Sequence, residues 1–388
     1  MASIRIKNIG PLSDTGTIPL THIMLILGEQ SSGKSTFMKI LCFCRWAEKK
    51  VMIGEEDEII DDGWDFIEQL KAFHKLSDEY FSDSSAIEFE GDAVSIVLQH
   101  GRTTISKHSD FLQVRHNTKL SYIPAERNLL SVIPNLDDKY RSSTFDAMFN
   151  AAIEFNEANK IFSKNSPLAL SIAGDMAYYR EGRNDYVSLS QNGKILLLEH
   201  TSSGIQAALP LSVMVHYLCH ITGEASRRTP KMVMKDDTLR FDETNKDKRI
   251  NYYNYPQLFI EEPEQHLYPT SQALVVRDIM TQFSYAKQKT GIAGFLFITT
   301  HSPYILTQFN ILLKAQKAFQ KNENATIGLI PKVCILPLDF YSAYYVDANG
   351  QMRNMIDSDT HLVMGEYLDS VSDEVEDTMN ALNEIIYG

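Results

Sequence analysis

The sequence predicts an α/β fold: a mixed sheet core carrying an antiparallel β subdomain and a helical lobe. Three observations predict it. The apolar run His22–Leu27 ends at Gly28 and leads straight into a helical stretch, the pattern of a buried central strand. Leu258–Ile260 and Phe295–Ile298 are short apolar runs separated by a long helical segment, as parallel strands are. Ala86–Glu90, Ala93–Gln99 and Thr103–Lys107 alternate apolar and polar residues, with turns at Gly91-Asp92 and His100-Gly101, and read as an antiparallel meander.

The remaining elements follow in chain order. Ser3–Lys7 and Thr17–Leu20 read as short strands about a polar turn, and the helix after Gly28 runs to about Lys50. Residues 55–82 are acidic and read as helical. Leu120–Ile123 is a further strand, and the apolar positions between Thr144 and Lys164 recur at helical spacing. Met176–Tyr179, Tyr186–Leu189 and Lys194–Leu198 read as strands, the last two joined by Gln191-Asn192-Gly193, a hairpin signal. A helix starts after Gly204, and Pro210 within it predicts a kink. Residues 223–256 are polar and read as an insertion. A helix to about Lys287, another after Pro303, a strand near Val333–Leu336, a hairpin turning at Asn349-Gly350 and a last acidic helix complete the chain. No sustained heptad pattern marks a coiled-coil arm, and no internal repeat is visible.

The 388 residues, 44% hydrophobic and 22% charged, suit one large domain with an elaborated lobe. No apolar run approaches the ~20 residues a bilayer span needs. The start, Met1-Ala2-Ser3-Ile4-Arg5, lacks a signal-peptide core. The expectation is a cytoplasmic protein without membrane attachment. Cys42, Cys44, Cys219 and Cys334 are scattered without metal-ligand spacing and read as buried free thiols in a reducing compartment. A formal net charge of −13 argues against DNA binding over the whole surface. Nucleic acid would need a local basic patch. The basic residues from Arg227 to Arg249, or Lys314, Lys317 and Lys321 on one helical face, could form one, and both also read as solvated surface.

Two motifs carry chemistry. Gly28-Glu29-Gln30-Ser31-Ser32-Gly33-Lys34-Ser35-Thr36 is a P-loop: its backbone N–H groups wrap phosphates, and the helix that follows aims its N-terminus at them. Lys34 is expected at the β- and γ-phosphates of ATP and the Ser35 hydroxyl on magnesium. Farther on, Leu258-Phe259-Ile260-Glu261-Glu262-Pro263-Glu264 puts a carboxylate at the tip of a buried strand. Glu261 is expected to hold Mg2+, usually through water. Glu262 points differently and is placed to orient or deprotonate the attacking water. Two carboxylates this close to the phosphates would repel them without the metal, so ATP and Mg2+ are implied together. The bland counterparts are a glycine-rich turn with an exposed lysine and a solvated acidic loop.

Together with Glu264-Gln265-His266-Leu267-Tyr268-Pro269 and Thr299-Thr300-His301-Ser302-Pro303, these motifs resemble the ABC-type ATPase heads of the RecF, SMC and OLD-like branch, often labelled AAA ATPases of the anti-phage kind. The resemblance runs from the first strand to about Leu306. It implies a P-loop NTPase fold of ABC-ATPase type over a single domain, 1–388. In that reading 1–127 and 257–345 form the nucleotide-binding core, 128–222 the helical and signature lobe, and 223–256 a polar insertion. It implies that His301 touches the γ-phosphate, and that Gln265–Pro269 communicates between sites. Thr201–Gln206 resembles the signature loop, so Ser202, Ser203 and Gly204 would reach the nucleotide of a second subunit. From the loop alone they read as an ordinary helix cap. Arg127, in Ser121–Arg127, reads either as facing phosphate or a partner, or as an exposed loop arginine.

The resemblance implies an ATP hydrolase that closes as a head-to-tail homodimer or higher oligomer around two nucleotides. Its task would be DNA-related or anti-phage defence, performed through a separate effector such as a nuclease, since the chain leaves no room for a TOPRIM domain after its last helix. Two rival readings are an ATP-bound scaffold for a partner protein with little hydrolysis, and a transporter-type nucleotide-binding subunit. The Glu-Glu-Pro-Glu form speaks against the latter.

Overall fold

A computed structural model of the chain describes residues 2–55, 59, 65–109, 116–139, 145–170, 172, 175–190, 192–224, 231–235, 238–242, 252–335, 340–365, 379–380 and 382. The N-terminal strands β1 (Ser3–Ile9), β2 (Leu12–Asp14) and β3 (Ile18–Pro19) precede β4 (Ile23–Gly28) and helix α1 (Lys34–Met52). Helix α2 (Phe66–His74) leads to the meander β5 (Ala86–Glu90), β6 (Val94–Gln99) and β7 (Arg102–Lys107), and then to β8 (Thr118–Ile123). Short helices α3 (Leu129–Val132) and α4 (Leu136–Lys139) and helix α5 (Ala147–Asn159) precede an antiparallel sheet. That sheet is β9 (Leu168–Leu170), β10 (Met176–Glu181), β11 (Asn184–Leu189) and β12 (Lys194–Leu197). Helix α6 (Ser203–His220) and the hairpin β13 (Lys231–Lys235) and β14 (Thr238–Asp242) come next. The chain then runs β15 (Tyr255–Glu261), α7 (Pro269–Thr290), β16 (Phe295–Thr300), α8 (Pro303–Lys321), α9 (Glu323–Ile327), β17 (Tyr341–Val346) and β18 (Met352–Asn354).

The central sheet has the order β18-β17-β4-β16-β15-β8. Its strands from β17 to β8 are parallel, and β18 alone is antiparallel. β4 lies between β17 and β16, with Gly28 opposite Val346 and Leu27 opposite Thr300, so the loop after Gly28 leaves from the middle of the C-terminal edge. Every residue of β4, β15 and β17 is buried, as a parallel sheet covered on both faces requires.

Alternation in β4 sorts the two faces. Leu25 and Leu27 join a core with residues of α5 to α8, while Met24 and Ile26 join a second core with α1 and the meander. The meander belongs to a separate antiparallel sheet in which β1 pairs with β2, β3 and β5. A buried ion pair clips it to α1: Arg45 bonds Glu48 at 2.7 Å and Asp92 at 3.1 Å, and the other Glu48 oxygen accepts the Asp92 and Ala93 N–H groups.

Two elements depart from the sequence expectation. Within the acidic stretch 55–82, the described residues give α2, a 3-10 turn at Asp78–Tyr80 and a helical Ile59, with non-helical chain between α2 and the turn and after it. Val333 lies in a 3-10 turn, Lys332–Cys334, rather than a strand, because Pro331 starts a tight turn there and Cys334 packs into the core; Leu336 lies outside the described residues. The last acidic helix falls almost wholly outside them too. Helix α6 continues through Pro210 from Ser203 to His220. All four cysteines are free and buried. Among the described residues no helix is long and apolar enough to cross a membrane.

Candidate functional site

The site is built at the C-terminal edge of β4, β16 and β15. Gly28 has φ 148° and an ideal β-carbon there would lie 2.6 Å from the Val346 carbonyl, so only glycine lets β4 turn out of the sheet beside β17. Gly33, at φ 112°, caps α1, and a β-carbon there would meet Leu12 at 2.7 Å. Ser31 between them also has positive φ, 64°. The loop therefore curls tightly on itself, and the first-turn N–H groups of α1 have no partner within the helix. Inside the curl, Lys34 is buried and its Nζ donates to the Gly28 carbonyl at 2.7 Å and the Glu29 carbonyl at 2.5 Å. Burial pushes its ammonium below the ordinary range, while Glu262, Glu264, Glu29 and Glu261 favour the charged form. Ser35 is half-buried and Gln30 exposed.

Glu261 closes β15 opposite Thr299 of β16, on the face that packs toward α1. It is buried; one carboxylate oxygen accepts the Ala125 N–H at 3.3 Å and the other has no partner. The hydroxyls of Thr299 and Ser32 are likewise buried without a partner. A carboxylate and two hydroxyls left unpaired near the curled loop fit a hard cation with oxygen ligands. Burial, reinforced by the Glu261 charge, also pushes the neighbouring Tyr122 phenol far above its ordinary range.

Glu262 turns out of the strand at φ 41°, with its N–H on the Thr299 carbonyl at 3.0 Å. That bend lets successive carboxylates serve different faces. His301, at the tip of β16, stands half-exposed with Nδ1 3.8 Å from Glu262 and 3.5 Å from Glu264. Glu264 is buried and accepts the Thr300 hydroxyl at 2.6 Å and the His301 N–H at 3.0 Å. Ser302 caps α8 and its hydroxyl donates to Gln272 of α7 at 2.5 Å, tying the two helices behind the site.

The structure thus gathers Lys34, Glu261, Glu262 and His301 at one sheet edge. Ser202, Ser203 and Gly204 lie apart, at the N-terminus of α6. Ser202 and Ser203 are exposed, and the Ser202 side chain makes no capping hydrogen bond. Gly204 packs on the segment after Glu262: an ideal β-carbon there would sit 3.1 Å from the His266 carbonyl.

Arg127 corrects the reading as an exposed loop arginine, and its bonds run to the main chain. It is completely buried and donates to four main-chain carbonyls: Glu261 at 2.6 Å, Glu262 at 2.7 Å, Ala207 at 3.2 Å and Pro124 at 3.3 Å. Burial brings its pKa down to about 10, and the surrounding glutamates keep it charged at neutral pH. Sequence reasoning also assigned no role to Glu264 or Thr299; their signal lay in Glu261–Glu264 and Thr299–Pro303, where each neighbours a residue it did single out.

The sequence model of the AAA ATPase domain family matches residues 65–306, a span that contains Glu261, Glu262 and His301 and starts after the Gly28–Thr36 loop. No curated protein matches the chain. Among solved structures, it is similar to an SMC head domain from Thermotoga maritima, at 12% identity and TM-score 0.36, over 79% of this chain and 90% of that one. It is also similar to an Smc head domain with an extended coiled coil, bound to the C-terminal domain of ScpA and derived from Pyrococcus furiosus, at 12% identity and TM-score 0.38, over 99% of this chain and all of the other.

Proposed function

The chain belongs to the AAA ATPase domain family, and on that premise we propose that it is a magnesium-dependent ATP hydrolase working through an ATP-sandwiched, head-to-tail dimer. The observation that carries the reading is the convergence of Lys34, Glu261, Glu262 and His301 at the C-terminal ends of β4, β15 and β16.

In this reading the curled loop from Gly28 to Thr36 binds the phosphates through main-chain N–H groups, and Lys34 exchanges its own loop carbonyls for phosphate oxygens. Ser35 and Glu261 would hold magnesium, which when bound supplies positive charge against the phosphates. Glu262 orients a water and takes its proton, and His301 donates toward the γ-phosphate. Exposed Ser202 and Ser203, with Gly204, supply an anion site at a helix N-terminus to the second subunit's nucleotide. The cycle serves a DNA-related or anti-phage defence process through a separate effector protein, a role supported by the motif resemblance.

Steady-state phosphate release with ATP and magnesium tests the reading. Turnover that vanishes in both Lys34→Ala and Glu262→Gln is the expected result. Tight ATP binding with no turnover in the unaltered protein would replace it with the scaffold reading.

A further inference from the structure

We propose that Arg127 is a positioning residue that couples the carboxylate site at the tip of β15 to helix α6. The proposal rests on the nucleotide reading of Lys34 and Glu261 and adds a link which that reading does not contain.

The geometry is that of a four-way clamp. Two guanidinium nitrogens hold the consecutive carbonyls of Glu261 and Glu262, so they set the peptide orientation where the chain leaves β15 at positive φ. The Nε–H holds the Ala207 carbonyl in the second turn of α6. The remaining bond, to Pro124, anchors the clamp on its own segment. A buried cation bonded to carbonyls alone is costly unless its charge is used. Here it lies among Glu261, Glu262 and Glu264, whose mutual repulsion it offsets.

The sequence of α6 is fitted to this contact. Pro210 has no N–H for the Gln206 carbonyl four residues earlier, and the Ser131 hydroxyl donates to that oxygen at 2.8 Å. Adjacent carbonyls of α6, at 206 and 207, are therefore held by the segment Arg127–Ser131. A change at the tip of β15 displaces two of the guanidinium's bonds and is transmitted to α6 by the third, because the planar fork moves as a unit.

The test is amide hydrogen exchange over residues 207–214, beyond the turn that would meet a second subunit, with and without ATP and magnesium, in the full chain and in Arg127→Lys. Lysine keeps the charge but is a point donor that cannot span β15 and α6 together. Expected is a nucleotide-dependent slowing of about fivefold or more in the unaltered protein. In Arg127→Lys the slowing should be lost when both proteins are saturated with ATP and magnesium. A merely structural arginine predicts equal slowing in both proteins, and that result overturns the proposal while leaving the ATP site standing. Absence of ATP binding by the unaltered protein removes the nucleotide reading and this proposal with it. Should Arg127→Lys not fold, the Arg127 Nε–H resonance of the unaltered protein serves instead. It should shift when ATP and magnesium are added, and an unmoved resonance in nucleotide-bound protein overturns the proposal.

Discussion

Glu264 holds His301 by its main chain as well as facing its ring: one carboxylate oxygen accepts the His301 N–H at 3.0 Å and lies 3.5 Å from Nδ1. The same oxygen accepts the Thr300 hydroxyl, so the turn after β16 is organised by one buried acid. Glu264→Gln retains an acceptor oxygen and should keep most stability. Glu264→Ala strands both donors and should cost about 1–3 kcal/mol, with turnover reduced through a misplaced His301. Thermal melting and phosphate release on the two variants separate the outcomes, and equal behaviour would count against the assignment.

Lys34→Ala should remove tight ATP binding and leave the fold. Among the described residues the ammonium bonds only to carbonyls of its own loop, so its loss should cost the folded state little compared with the proposed phosphate contact. A loss of about 2–3 kcal/mol in affinity, typical of a charge-assisted bond, is expected by calorimetry. Unchanged affinity would remove the P-loop assignment.

Glu262→Gln should bind ATP and fail to hydrolyse it, with a fall of about 10²–10⁴-fold, because an amide can hold water but cannot take its proton. Glu261→Gln should instead weaken the magnesium-dependent part of binding, read by titrating the metal at fixed ATP.

Association tests the composite site. Glu262→Gln with ATP and magnesium should shift the protein toward dimer, and Ser203→Arg added to it should prevent the shift while ATP still binds. Ser203 is exposed at the start of α6, so the substitution burdens no core. Analytical ultracentrifugation showing the same association state in all cases would discard the dimer mechanism alone.

Acid sensitivity should trace in part to His74. Its ring is buried against Tyr122 at 4.8 Å with both nitrogens unpartnered, and burial, with Lys39 adding to it, holds its pKa well below 6.5. The unfolded chain takes up this proton near pH 6.5 and the folded chain does not. The contribution of neutral His74 is thus complete above that pH and falls as the pH drops below it, by up to about 1.4 kcal/mol per unit. Melting of His74→Phe should fall less steeply from pH 7 to 5 than that of the unaltered protein.

What the sequence determined by itself is what lies in contiguous residues. A tight curl after a buried strand needs glycine at its two bends, and Gly28 and Gly33 declare it, with Lys34 inside it, because backbone geometry is local there. Glu261 was legible for a similar reason: an apolar strand that ends in acids can place only its tip at a sheet edge. The hairpin at Asn349-Gly350 and the meander turns are local as well. Only the tertiary structure decided that β4 sits between β17 and β16, since strand order arises from pairing across hundreds of residues. It alone turned Arg127 from a loop cation into a buried clamp, because the carbonyls that receive it come from residues 124, 207, 261 and 262. It also gave Pro210 its sense: whether a proline kinks a helix or opens it to a neighbour depends on what stands beside the freed carbonyl, and here that is Ser131. Hydrogen bonds between distant segments leave no periodicity in the chain that makes them.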